Sequence, residues 1–206
     1  VASDFRYECV WAASKWYRVQ LISENRGGPF DDQKMNFLFN ECDVYINLAS
    51  NEGFGLGSCE ALTVGTPIVV NVTGGLQDQC GFQKEDGTHL SAEDYVELGS
   101  NHRGQYTECG EWAKPVFPAT ISLMGSPPTP YIFDDRCTYE DAGEALLEWY
   151  NVGPEERERC GNLGREFVKN KNIGMDAAEM GQGFIDSMNG AFDNWKPKPK
   201  YTLEVV

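Results

Sequence analysis

Glu52 and Glu60 stand eight positions apart, with Gly53, Gly55 and Gly57 between them, in the stretch NEGFGLGSCEALTVGTPIVV. Residues 47–75 run for 29 positions without a lysine or arginine. Such glycine density lets a backbone approach a ligand closely. A helix starting just after it offers free N–H groups and a partial positive charge to an anion. A loop of this kind holds a diphosphate by its amides, with any cation supplied from another segment. The glutamates fit a sugar better than a phosphate, because carboxylates repel phosphate and accept hydrogen bonds from hydroxyls. One of them can reach a sugar and the other a ribose.

Simpler explanations stand beside this one. A glutamate in a first helical turn is favoured by the helix dipole alone, by a few tenths of a kcal/mol to ~1. Glu52 fits an ordinary solvated loop, and the glycines fit a tight strand-to-helix turn. Two standard phosphate motifs do not fit. A Walker A loop requires G-K-[ST] after its glycines, and the chain has none. A dinucleotide fingerprint requires G-x-G-x-x-G, but Ser58 stands where the last glycine belongs, and Asn71 stands where the next strand should end in an acid.

These residues need elements to hold them. DDQKMNFLFNEC (31–42) places Met35, Leu38, Phe39 and Cys42 at helical spacing. YRVQLIS (17–23), DVYINLAS (43–50) and TPIVVNV (66–72) read as strands, RGGPFDD (26–32) as a loop and TGG (73–75) as a turn. SCEALTV reads as a short helix, with Ser58 as its N-cap and Gly65 as its stop. Strands alternating with helices argue for an α/β fold, a Rossmann-like parallel sheet with helices on both faces. Residues 81–137 are loop-rich, with KPVFP and GSPPTPYIF as turns or edge segments. Thr138 and Asp141 open a helix by a capping-box pattern, and Pro154 suits the first turn of another that runs to about Lys169. Residues 175–192 read as helical despite Gly181, Gly183 and Gly190. The expected organisation is one domain over 1–195 and a tail over 196–206.

The chain has 206 residues, 41% apolar and 24% charged, an ordinary globular composition. A net charge of −15 argues against a nucleic-acid or anionic-membrane surface. No apolar run is long enough for a transmembrane segment. Seven scattered cysteines without a C-x-x-C pair read as thiols in a reducing cytoplasm.

NEGFGLGSCEALTVGTPIVV closely resembles the E-x7-E region of GT-B retaining glycosyltransferases, family 4 in particular. GTPIVVNVTGGLQDQ is similar to the matching stretch of glycogen and starch synthases. The resemblance is strong over about 43–80. It implies the C-terminal of two Rossmann-like domains, the one that holds a nucleoside diphosphate (NDP) sugar. It implies a hexosyltransferase-like enzyme (EC 2.4) that moves the sugar to a glycan, lipid or protein acceptor. By the same resemblance Glu52 is the catalytic-site residue that contacts and orients the donor sugar. The loop Gly53, Phe54, Gly55 and Leu56 faces the sugar and diphosphate, with the last three presenting their N–H groups. Glu60 binds the ribose, while Thr73, Gly74 and Gly75 lie beside the pocket. No metal or other cofactor is expected.

One departure is that the family's diphosphate-clamping Arg and Lys have no clear match, leaving Lys15, Arg18 and Arg26 as candidates by position. The N-terminal domain is expected to be missing from this chain, which alone should lack turnover. Two rivals remain: a non-catalytic sugar-nucleotide or glycan-binding module, and a glycoside hydrolase using Glu52 and Glu60 as its carboxylate pair. Trp112, Lys114, Phe117 and Tyr131 either border a sugar cleft or pack a loop on the core. Asp134–Asp135 could suggest a metal site, but adjacent acids before a helix are more often solvated or dipole-related, and His89 and His102 read as structural or surface residues.

Overall fold

A computed structural model describes residues 32–126, 128–173 and 175–197. The expected strand at 17–23, most of the loop at 26–32, the basic candidates Lys15, Arg18 and Arg26, and most of the tail lie outside the described residues. Two compact units divide at Val168/Lys169.

In the first unit, α1 (Asp32–Asn40) leads to β1 (Tyr45–Asn47), α2 (Leu56–Val64) and β2 (Ile68–Asn71). Then follow α3 (Leu76–Gln79), α4 (Ala92–Leu98) and β3 (Ala113–Val116). A hairpin of β4 (Thr120–Ser126) and β5 (Thr129–Arg136) precedes α5 (Tyr139–Val152) and α6 (Pro154–Val168). The sheet has the order β1-β2-β3 and is parallel throughout, with Ile68 opposite Tyr45 on one side and Ala113 on the other. Ile68, Val69 and Val70 are fully buried. Alternate strand residues point to opposite faces, so both faces of β2 are covered, as in the expected α/β arrangement.

The core forms where α5 and α6 meet the sheet. Trp149 packs with Val44, Val69, Val116, Ala145 and Cys160, and its indole N–H donates to Ile68 O at 3.3 Å. The buried Arg157 of α6 donates to Trp149 O at 2.9 Å and pairs with Asp43 at 3.2 Å, tying the helix to the chain entering β1. Gly164 lets α6 approach closely, because a Cβ there would meet Leu62 Cδ2 at 2.6 Å and Trp112 Cβ at 2.8 Å. Thr138 caps α5 by accepting from Asp141 N–H, and Pro154 opens α6 as the sequence leads one to expect.

Within residues 81–137, two segments read as turns or edges are edge strands, and one expectation is corrected. KPVFP is an edge segment: Lys114 and Pro115 lie in β3, which among the described residues pairs with β2 on one side and is open on the other, so Pro115's missing donor costs no ladder bond. GSPPTPYIF belongs to the β4–β5 hairpin, whose register runs from Thr120–Arg136 to Met124–Ile132 and shifts before Ser126–Thr129. Asp134 and Asp135 therefore sit in β5, half-buried and bonded to Arg136 and Thr73, and are not a solvated pair.

In the second unit, α7 (Ala177–Asn194) is one uninterrupted helix capped by Asp176, with its three glycines inside. Met180, Phe184, Ile185, Met188 and Phe192 are exposed along it.

Candidate active site at the carboxyl ends of two parallel strands

β1 and β2 run parallel and adjacent, so the segments leaving their carboxyl ends emerge side by side. In open α/β sheets ligands bind outside these ends. Residues 48–55 follow β1 and residues 72–75 follow β2. The two segments are in backbone contact: Gly75 N–H donates to Glu52 O at 3.2 Å. Gly74 has φ +45°, and a Cβ on it would overlap Glu52 O. A Cβ on Gly75 would meet Phe54 Cα at 2.6 Å. The TGG turn is thus seated on the backbone of Glu52–Phe54, and only glycines permit that approach.

Helix α2 begins three residues earlier than the sequence indicates. Leu56 is its first residue, and Gly55, at φ 85° and ψ 57°, is the N-cap. Ser58 is therefore not the cap. It is buried in the first turn and donates its hydroxyl to Gly55 O at 2.9 Å. Glu60 accordingly lies in the second turn, and the first turn holds no acid. The dipole explanation for Glu60 weakens with that displacement, because the effect fades beyond the first turn.

Buried side chains pull the loop carbonyls inward. Gln79 Nε2 donates to Phe54 O at 2.6 Å and Gly55 O at 3.1 Å. In a trans peptide the N–H points opposite to the C=O of the same unit. The N–H groups of Gly55 and Leu56 therefore point away from Gln79, and neither has a partner among the described residues. Gly55 in the left-handed region followed by helical Leu56 makes successive N–H groups converge, the geometry of an anion-binding nest.

Glu52 is half-buried and Glu60 exposed. Their carboxylates make no hydrogen bond or ion pair among the described residues. Both act on one point: burial first, then the charges of Glu52 and Glu60, raise the Tyr45 hydroxyl above its ordinary pKa. Tyr45 lies under Gly57, where a Cβ would strike its ring and hydroxyl. Phe54 and Leu56 are exposed beside the nest. Asp78, on the short helix after the turn, reaches solvent yet is hemmed in by its neighbours, and that desolvation raises its carboxyl to about 6.

Thr73 is buried, and its hydroxyl donates to Asp135 Oδ2 at 2.8 Å. Asp135 N–H donates to Ser50 O at 2.8 Å, and Asn71 Nδ2 donates to both Asp135 O (2.7 Å) and Ala49 O (2.9 Å). The hairpin is clipped to the ends of β1 and β2 through Asp135. Reasoning from the sequence missed Asp135 and Gln79. The alternation in TISLM and YIFDDR was a strand signal for the first, whereas nothing local marks the second.

Of the aromatic candidates, Trp112 belongs to the core, packed on Phe167 at 4.6 Å between ring centroids, with its indole N–H donating to Gln79 O at 2.9 Å. Phe117 lies against Phe82, Lys114 pairs with Glu148 and sits over Trp149, and Tyr131 is exposed. His89 packs on Trp112 and Phe167. Glu111, Glu156 and Cys160 bring potential metal ligands together. The Arg159 guanidinium already bridges the two carboxylates, so a cation is in place there.

Architecture and site together define a Rossmann-like α/β domain whose loop and turn form one platform at the carboxyl ends of parallel strands. Residues 28–98, which contain that platform, match the family model described as glycosyl transferases group 1. No curated protein matches the chain. The family match supports glycosyl transfer as the general activity. Among the described residues no helix is long and apolar enough to cross a membrane.

Proposed function

We propose that this chain holds the NDP-sugar donor of a GT-B retaining glycosyltransferase, of the family 4 type, acting in the cytoplasm on a glycan, lipid or protein acceptor. The observation that carries the reading is the platform itself: outward N–H groups at Gly55 and Leu56, flanked by two carboxylates with no partner among the described residues. The diphosphate lies over the nest, the ribose reaches Glu60, and the donor sugar reaches Glu52. Gly53 and Phe54 border the sugar, and Gly74–Gly75 forms the floor. The Thr73 hydroxyl has its proton committed to Asp135, so toward a ligand it serves only as an acceptor.

Transfer with retention breaks the bond between the anomeric carbon and the phosphate oxygen, and forms a bond from the same face of the sugar to an acceptor hydroxyl. Charge accumulates on the leaving diphosphate. Amides preorganised toward that charge are the expected source of rate enhancement from this chain. Cations from another segment complete the clamp, and the reading assigns no role to a metal. Acceptor positioning belongs to a second domain, and proximity of that kind is worth roughly 7–11 kcal/mol of barrier. Donor binding is therefore expected of this chain and turnover of the two-domain protein.

Calorimetry with UDP, ADP, GDP and their sugar conjugates, with and without EDTA, tests the reading. At least one nucleotide is expected to bind, and EDTA should not matter. Glu60→Ala should weaken free nucleotide and conjugate alike, because both carry the ribose. Glu52→Ala should weaken only the conjugate. Each loss is expected at roughly 1–3 kcal/mol, the cost of removing one hydrogen-bond partner. Absence of binding at millimolar nucleotide, or two glutamate variants identical to the parent, would remove the basis of the reading.

A further inference from the structure

Gln79 is fully buried, 24 residues beyond Gly55 in sequence, and makes no contribution to a ligand surface of its own. Its amide nitrogen faces two carbonyl oxygens, which only an NH2 group can satisfy. Its Oε1 meanwhile is buried without a partner. A buried acceptor left open is costly, so the orientation is set by the two carbonyls and not by the rest of the core.

We infer that Gln79 is a positioning residue that sets the peptide planes of the glycine loop and so aims the N–H groups of Gly55 and Leu56 at a diphosphate. The inference rests on the donor-site reading above. Phe54 O has Gln79 as its donor among the described residues. Gly55 O also receives Ser58 Oγ and the Cys59 N–H. The two carbonyls are thus supported differently: that of Gly55 is held redundantly, whereas the peptide between Phe54 and Gly55 depends on Gln79. Without that bond this peptide is free to rotate, and the Gly55 N–H leaves the nest. Gln79 is itself fixed from the core, since the Trp112 indole holds its backbone carbonyl. The side chain therefore links the packed interior to the amides at the surface.

The test compares Gln79→Met, close in size but without a donor, with Ser58→Ala, which removes one of several donors to Gly55 O. Affinity for UDP, ADP and GDP is measured by calorimetry well below the melting temperature of each variant. Gln79→Met is expected to weaken the nucleotide that the parent binds by about tenfold to a hundredfold, the loss of one buried hydrogen bond. Ser58→Ala should cost less. In 15N-labelled parent protein, the Gln79 side-chain amide protons should exchange slowly, and the Gly55 and Leu56 amides should shift when the same nucleotide or inorganic pyrophosphate is added. A folded Gln79→Met variant with parental affinity overturns the inference and leaves the donor site standing. So does a larger loss in Ser58→Ala. If Gln79→Met does not fold, fast exchange of the parent's Gln79 amide protons overturns it instead, and slow exchange with shifts at Gly55 and Leu56 supports it. A parent that binds none of the nucleotides removes the donor site and this inference together.

Discussion

Gly74→Ala is expected to lower the stability of the fold by about 3–5 kcal/mol and to abolish nucleotide binding. Two costs combine. A non-glycine residue held at φ +45° is strained by roughly 1–3 kcal/mol. The new methyl would also overlap Glu52 O and lie 3.0 Å from Glu52 C, atoms of a backbone that cannot rotate aside. Overpacking of that kind costs about 1–3 kcal/mol more. Relief requires the TGG turn to lift, which breaks the Gly75 to Glu52 hydrogen bond and separates the two halves of the platform. Thermal unfolding should show a fall of about 10 °C for a chain of this size. Gly53→Ala is the matched control, because a Cβ there meets nothing within 4 Å. Equal melting temperatures for the two variants would mean that the turn is not seated on the loop as described.

Trp149→Ala should be comparably severe for a different reason. The side chain is 1% exposed and central to the cluster joining α5 and α6 to the sheet. Removing it sacrifices its apolar burial, opens a cavity among Val44, Val69 and Val116, and leaves Ile68 O without the indole donor. Truncations of this type cost about 3–5 kcal/mol. Trp195→Ala provides the contrast: that indole is 71% exposed, and its loss should change stability by no more than ~0.5 kcal/mol. Urea unfolding of both variants, followed by tryptophan fluorescence, separates them. A small effect at Trp149 would contradict the packing of this core.

The sequence by itself determined the elements whose signals are local. The apolar spacing of Met35, Leu38 and Phe39, the cap at Thr138, the proline at 154 and the glycine stop at 65 each specify a helix end or face within a few residues. The alternation of strand and helix over 43–75 was enough for a parallel sheet, and the E-x7-E resemblance pointed to the segment that the glycosyl transferases group 1 model matches. Tertiary structure decided the rest, because the deciding contacts are distant in sequence. Helix α2 starts at Leu56 because Gly55 is held left-handed against Leu76, Ser58 and Gln79, and a Cβ would not fit among them. That contact, formed across more than twenty residues, moves Glu60 from the first turn to the second. Asp135 reaches the strand ends through partners 62 and 64 positions away, Thr73 and Asn71. A hydrogen bond between residues so separated leaves no periodicity for either segment to display. Its geometry exists only once the sheet has brought the two strand ends together.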